Sequence, residues 1–194
     1  FSTHVIHDDP SRCGGFLYSP IQEKYGGAFV LVPAGGQSYL SHYMQLIFND
    51  PNILTQDNKI QVLNGTKDGY LAAKTKVLLS RHCLPVIRYG NARNQKIMET
   101  KYFIKNMTPE EYKNSDLELY VNYLKSMFSG EVSFDVPKEY LTHPYISDSN
   151  IILEIGADYN KEQIKDPFDY LVDMRPLVTD EDEEEESIST PASE

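Results

Sequence analysis

The sequence predicts an α/β domain, with a mixed or mostly parallel sheet flanked by helices, ending in a disordered acidic tail. Three observations predict it. Between residues 28 and 89, strand-length apolar runs alternate with apolar stripes of helical period, giving strand-helix-strand-helix-strand, the order of a parallel sheet built through crossovers. The second half adds one strongly periodic helix and further strand-like runs. From Thr179 the apolar residues give way to seven adjacent carboxylates, Asp180 to Glu186, which repel one another and bury nothing.

Residues 1–15 are polar and contain Pro10 and the pair Gly14-Gly15, an irregular lead-in. Phe16 to Tyr18 reads as a short strand and Tyr25-Gly26-Gly27 as a turn. Ala28 to Val32 is an apolar run bounded by Gly27 and Pro33, the pattern of a strand buried on both faces. Leu40, Tyr43, Met44, Ile47 and Phe48 form one stripe, predicting a helix over 37–49 that Asp50-Pro51-Asn52 stops. Lys59 to Leu63 alternates as a strand. Leu71, Ala72, Thr75, Leu78 and Leu79 make a second helical stripe, and Leu84 to Tyr89 is the third strand, with Pro85 tolerable at its start or on an edge.

Lys101 to Lys105 opens the second half as a strand. Thr108-Pro109-Glu110-Glu111 is a helix start with a capping box, and Ser115-Asp116-Leu117-Glu118 is another. Leu117, Tyr120, Val121, Leu124, Met127 and Phe128 then recur at helical spacing, with Gly130 placed to end the helix. Glu131 to Val136 and Ile151 to Ile155 are strands, and a short helix is expected around Phe168 to Val172. The division expected is a lead-in at 1–15, a single α/β domain over 16–178 with any break into two sub-units near 90–100, and a tail at 179–194.

Net charge is −11 over 194 residues, but the last 15 carry eight acids and no base, so the rest holds 21 acids against 18 bases and a net of −3. Without a basic patch, the phosphate attraction behind most nucleic-acid binding is missing, and no nucleic-acid partner is expected. No run of 18 or more apolar residues exists, so no membrane span is expected. There is no basic-then-apolar leader, and a start at Phe1 suggests a processed or excised chain. Cys13 and Cys83 lie 70 residues apart and form no CxxC pair, which reads as two reduced thiols in a nuclear or cytoplasmic protein. The patterns Asn64-Gly65-Thr66 and Asn106-Met107-Thr108 match a glycosylation acceptor and read as accidental.

Two loops are candidates for a small ligand. Pro33-Ala34-Gly35-Gly36-Gln37-Ser38 follows a strand and opens a helix, where free amides favour anions. Asn64-Gly65-Thr66-Lys67-Asp68-Gly69 does the same one strand later, and Lys67 adds a positive charge. The candidate ligand residues are Gly35, Gly36, Gln37, Ser38, Asn64, Gly65, Thr66 and Lys67. If the two strands are parallel neighbours, both loops share one sheet edge. Neither matches GxGxxG or GxxxxGK[ST], and the plainer reading of each is a turn with a polar residue capping the next helix. His4-Val5-Ile6-His7-Asp8-Asp9 holds metal-ligand residue types but reads as a solvated terminus, with no metal or cofactor expected. His82 and Cys83 are adjacent, which in a strand sends them to opposite faces, and no GxSxG elbow surrounds Ser38, Ser41 and His42. No catalytic constellation stands out.

Lys59 to Tyr89 resembles part of a BRCT repeat: a strand and a Lys-bearing helix lead to Leu84-Pro85-Val86-Ile87, and Leu117 to Val132 resembles the helix-then-glycine-strand opening of another. The family's tryptophan and its double glycine before the second strand are absent. The resemblance implies an α/β interaction module. Tyrosines spread through the second half, including Tyr102, Tyr112, Tyr120, Tyr123 and Tyr140, suit an interface or the rim of a core. The expectation is therefore a non-catalytic protein–protein interaction module, part of a larger protein or assembly, whose acidic stretch attracts a basic partner such as a histone-like segment. The alternative is a small-molecule or nucleotide-binding enzyme using loops 33–38 and 64–69.

Overall fold

The computed structural model describes residues 4–10, 12–34, 37–142 and 148–159. Strands β1 (Leu17–Tyr18) and β2 (Val32–Pro33) pair antiparallel as a small ribbon. Helix α1 (Gln37–Asn49) follows, then β3 (Ile60–Asn64), α2 (Leu71–Arg81), β4 (Val86–Asn91), β5 (Lys101–Ile104), α3 (Pro109–Tyr112), α4 (Asp116–Met127), β6 (Glu131–Ser133), α5 (Lys138–Thr142) and β7 (Ile151–Ile155). The expected short helix at 168–172 and the acidic tail lie outside the described residues.

The main sheet has five strands in the order β4-β3-β7-β5-β6. It consists of two parallel strand-helix-strand units, β3-α2-β4 and β5-α3-α4-β6, set in opposite directions. Strand β7 lies between them, parallel to β3 and antiparallel to β5. Its sequence Ile-Ile-Leu-Glu-Ile explains the central place: all five residues are buried, and a run without alternation needs cover on both faces. Ile151, Leu153 and Ile155 join Ile60, Val62, Tyr102 and Ile104 in the main core against Leu78 and Leu79 of α2 and Tyr120, Val121 and Leu124 of α4. Ile152 faces the other way, with Leu63, Phe103 and Tyr140 of α5.

The capping signals are realised. Thr108 Oγ1 accepts from the Glu111 amide at 3.3 Å while Glu111 Oε2 accepts from the Thr108 amide at 2.8 Å, and Ser115 Oγ accepts from the Glu118 amide at 3.2 Å. Such caps contribute about 1 kcal/mol each.

Three expectations need correction. The run Ala28 to Val32 is not a buried strand of the main sheet: only Val32 extends into β2, and Phe29 and Leu31 are exposed. The stripe on α1 is also shallow, since Tyr43 and Leu46 are its buried residues and Phe48 is 73 % exposed. The lead-in is irregular and is tied to the end of α2. The Gly14 amide donates to Arg81 O, Arg81 Nε donates to Pro10 O, and the carbonyls of Val5 and Asp9 stand where side chains on Gly14 and Gly15 would lie. Finally, the two cysteines are not reduced thiols. This fold-back brings Cys13 to the α2–β4 turn, where it forms a disulfide with Cys83 across a Cα separation of 4.6 Å.

Candidate functional site

Loop 64–69 is closed by its own hydrogen bonds. Asn64 Oδ1 accepts from the Thr66 amide at 2.9 Å and the Thr66 hydroxyl at 2.8 Å, Thr66 Oγ1 accepts from the Asp68 amide at 3.1 Å, and Asn64 Nδ2 donates to Asp68 O at 2.8 Å. This is an Asx-turn arrangement, in which a short side chain replaces backbone partners. Gly65 is clamped between β7 and the loop that carries Ile97: its amide donates to Ile155 O, its carbonyl accepts from the Ile97 amide, and a Cβ there would lie 2.7 Å from the Ile97 side chain. Lys67 is exposed. Thr66 and Asp68 do not cap α2, because its N-cap is Tyr70, with no side-chain cap.

Loop 33–38 lies elsewhere. The Ala34 amide donates to Phe16 O, and the Phe16 ring packs edge-on against His82 at 4.9 Å, just past the C-terminus of α2. Loop 64–69 precedes the N-terminus of α2. An 11-residue helix, about 16 Å long, thus separates the two. The shared sheet edge expected from the sequence required β2 to lie beside β3, and it does not. Gln37 and Ser38 are exposed in the first turn of α1, while Gly35 and Gly36 lie outside the described residues.

His7 is engaged at both ring nitrogens: Nδ1 accepts from the Asp9 amide at 3.1 Å, leaving Nε2–H to donate to Cys13 O at 2.9 Å. Among the described residues, no group of three His, Cys, Asp or Glu side chains is arranged to hold a metal. His82 is fully buried beside Phe16, Tyr43 and Tyr123. Its Nδ1–H donates to Leu78 O at 2.9 Å, and burial lowers its pKa to about 4, so the ring is neutral. Tyr43 OH lies 3.2 Å from Cys83 Sγ, which closes this cluster under the disulfide.

Of the tyrosines that suit an interface or the rim of a core, most lie within the core. Tyr102 and Tyr120 are fully buried, Tyr112 and Tyr140 nearly so, and the Tyr140 hydroxyl donates to the buried Glu154 carboxylate. Burial raises the pKa of Glu154, favouring its protonated form.

No family model, curated protein or solved structure significantly matches this chain. The β3-α2-β4 stretch that resembles a BRCT repeat is a parallel strand-helix-strand unit, without a family match beside it.

One open feature is the β4 edge of the sheet. Strand β4 pairs only with β3 among the described residues. The Ala92 amide donates inward to Asn64 O at 2.8 Å. Backbone groups on a strand alternate in direction, so the amides of Asn91 and Tyr89 point away from the sheet, without a partner among the described residues. Ile87 and Tyr89 are exposed there, at 38 % and 55 %. A bulge opposite Ile60–Gln61 inserts Ile87 and turns it outward. The periodicity of Leu84 to Tyr89 signals a strand, but nothing in it says which strand is outermost.

Proposed function

We propose that this chain is a non-catalytic interaction module that takes an extended segment of a partner protein as an added strand along β4. The observation that carries the reading is the pair of outward amides at Tyr89 and Asn91, flanked by the exposed Ile87 and Tyr89 side chains. An unpaired edge supplies main-chain hydrogen bonds for affinity, and the side chains at its rim supply selectivity. The acidic run Asp180 to Glu186 gives the partner's sign: a basic segment is attracted at long range. The enzyme reading loses its main support, because loops 33–38 and 64–69 stand at opposite ends of α2 and the polar groups of the second are internally paired.

A disulfide-bonded chain fits an oxidising compartment. We accordingly place the module there, in contrast to the nuclear or cytoplasmic setting that reduced cysteines suggested.

The test is selection of linear peptides from a displayed library on the immobilised chain, followed by Tyr89→Pro. That substitution removes an outward donor and leaves the ladder to β3 intact, a position where an edge strand tolerates proline. Selected peptides should be basic and extended and should lose binding to Tyr89→Pro. Binding should also weaken on deleting residues 180–194 or raising salt. Peptides that bind Tyr89→Pro as tightly as the parent would rule out the edge.

A further inference from the structure

A second surface, separate from the β4 edge, lies between the C-terminal half of α1 and the outer face of α4. Gln45 and Asn49 stand one turn apart on α1, while Leu119, Asn122, Tyr123 and Ser126 fall at i, i+3, i+4 and i+7 on α4. Each helix thus turns one stripe toward the other. The Tyr123 hydroxyl donates to His42 O at 3.4 Å and ties the helices together. With Asp50 these side chains line a groove of about 280 Å3. Ligand sites begin near about 300 Å3, so the groove suits a small unit rather than a long chain.

The chemistry of the lining is narrow. Three carboxamides face the groove, each offering donors and an acceptor, and none is engaged by another described group. No lysine, arginine or histidine lines it. Asp50 and the carbonyl end of α1 make it electronegative, which disfavours phosphates and carboxylates. Leu119, 51 % exposed, and the Tyr123 ring add an apolar wall. Ser126 Oγ donates to Tyr123 O at 2.7 Å, so its lone pairs remain as acceptors. A ligand matching this set is uncharged, both donates and accepts at several closely spaced hydroxyls, and has an apolar C–H face. We propose that the groove binds one sugar unit of a neutral oligosaccharide through Gln45, Asn49 and Asn122, with the sugar's C–H face on Leu119 and Tyr123.

The experiment is a titration of the isotope-labelled full chain with soluble cello-, malto- and chito-oligosaccharides, followed by amide chemical shifts. At least one series should give saturable shifts confined to residues 45–50 and 119–126. Asn122→Ala should weaken binding by about tenfold, the worth of one lost carboxamide contact. Asn122 is exposed within a helix and alanine is the better helix former, so this variant folds. Lys125→Ala, on the same helix but outside the lining, should bind as the parent does. The proposal is overturned by an absence of saturable shifts with every series, by shifts mapping elsewhere, by parental affinity in Asn122→Ala, or by peptides occupying the groove in preference to sugars.

Discussion

Replacing Cys13 and Cys83 together by serine should lower stability by about 4 kcal/mol. The bond joins residues 70 apart, and the loop-closure entropy that such a crosslink removes from the unfolded chain at 25 °C is of that size. The effect is large against the roughly 5–15 kcal/mol total of an ordinary domain. In a chain of this length it corresponds to a fall in melting temperature of about 8–16 °C. The consequence should also be local. The bond pins residues 12–16 over the cluster of Phe16, Tyr43 and His82, so the amides of Gly14 and Phe16 should exchange faster in the variant while those of β7 change only with global stability. The assay is thermal unfolding of parent and double variant in one buffer, with alkylation of the unreduced, denatured parent to count thiols. Two alkylatable thiols in the parent, or a variant melting within about 2 °C of it, would refute the reasoning.

Two further outcomes follow from the buried groups. His82 has its folded pKa lowered to about 4 by burial, below the ordinary value near 6.5. The unfolded chain therefore takes the proton first, and the stability held by the neutral ring is present above pH about 6.5 and lost as pH falls toward 4, by up to about 3 kcal/mol. His82→Phe keeps the aromatic packing and should flatten this acid limb in denaturant midpoints measured across that range; an unchanged slope would show that other groups carry it. Gly65→Ala would press a methyl group against Ile97 and Ile155 O, at 2.7 and 2.9 Å. It should cost about 1–3 kcal/mol by urea unfolding, and a neutral result would mean that the Ile97 loop yields without resistance.

The elements were legible where the hydrophobic period was long or uninterrupted. The α4 stripe from Leu117 to Met127 is buried as its spacing predicts, α1 spans the predicted 37–49, and Ile151 to Ile155 is the strand its composition implies. The run Ala28 to Val32 failed because five apolar residues between turn signals describe a buried strand and a surface loop equally well, and only long-range pairing decides between them. Sheet order was illegible for the same reason. Nothing near Ile151 announces that β7 inserts between two units completed earlier in the chain. That order also removed the expected meeting of the two glycine loops. The disulfide was hidden because a separation of 70 residues carries no sign of the fold-back that joins its ends. The open edge at Tyr89 and Asn91 likewise depends on strand order, and the meeting of the α1 and α4 stripes depends on how the two helices pack.

Residue-resolved amide exchange along β4, on the free chain and with a selected basic peptide bound, tests the strand-addition account most directly. In the free chain Tyr89 and Asn91 should exchange fast while Gly90 and Ala92, pointing inward, are protected. On binding, Tyr89 and Asn91 should become protected and the inward pair should change little. Slow exchange at all four amides in the free chain, or a bound peptide that leaves Tyr89 and Asn91 fast, would contradict it.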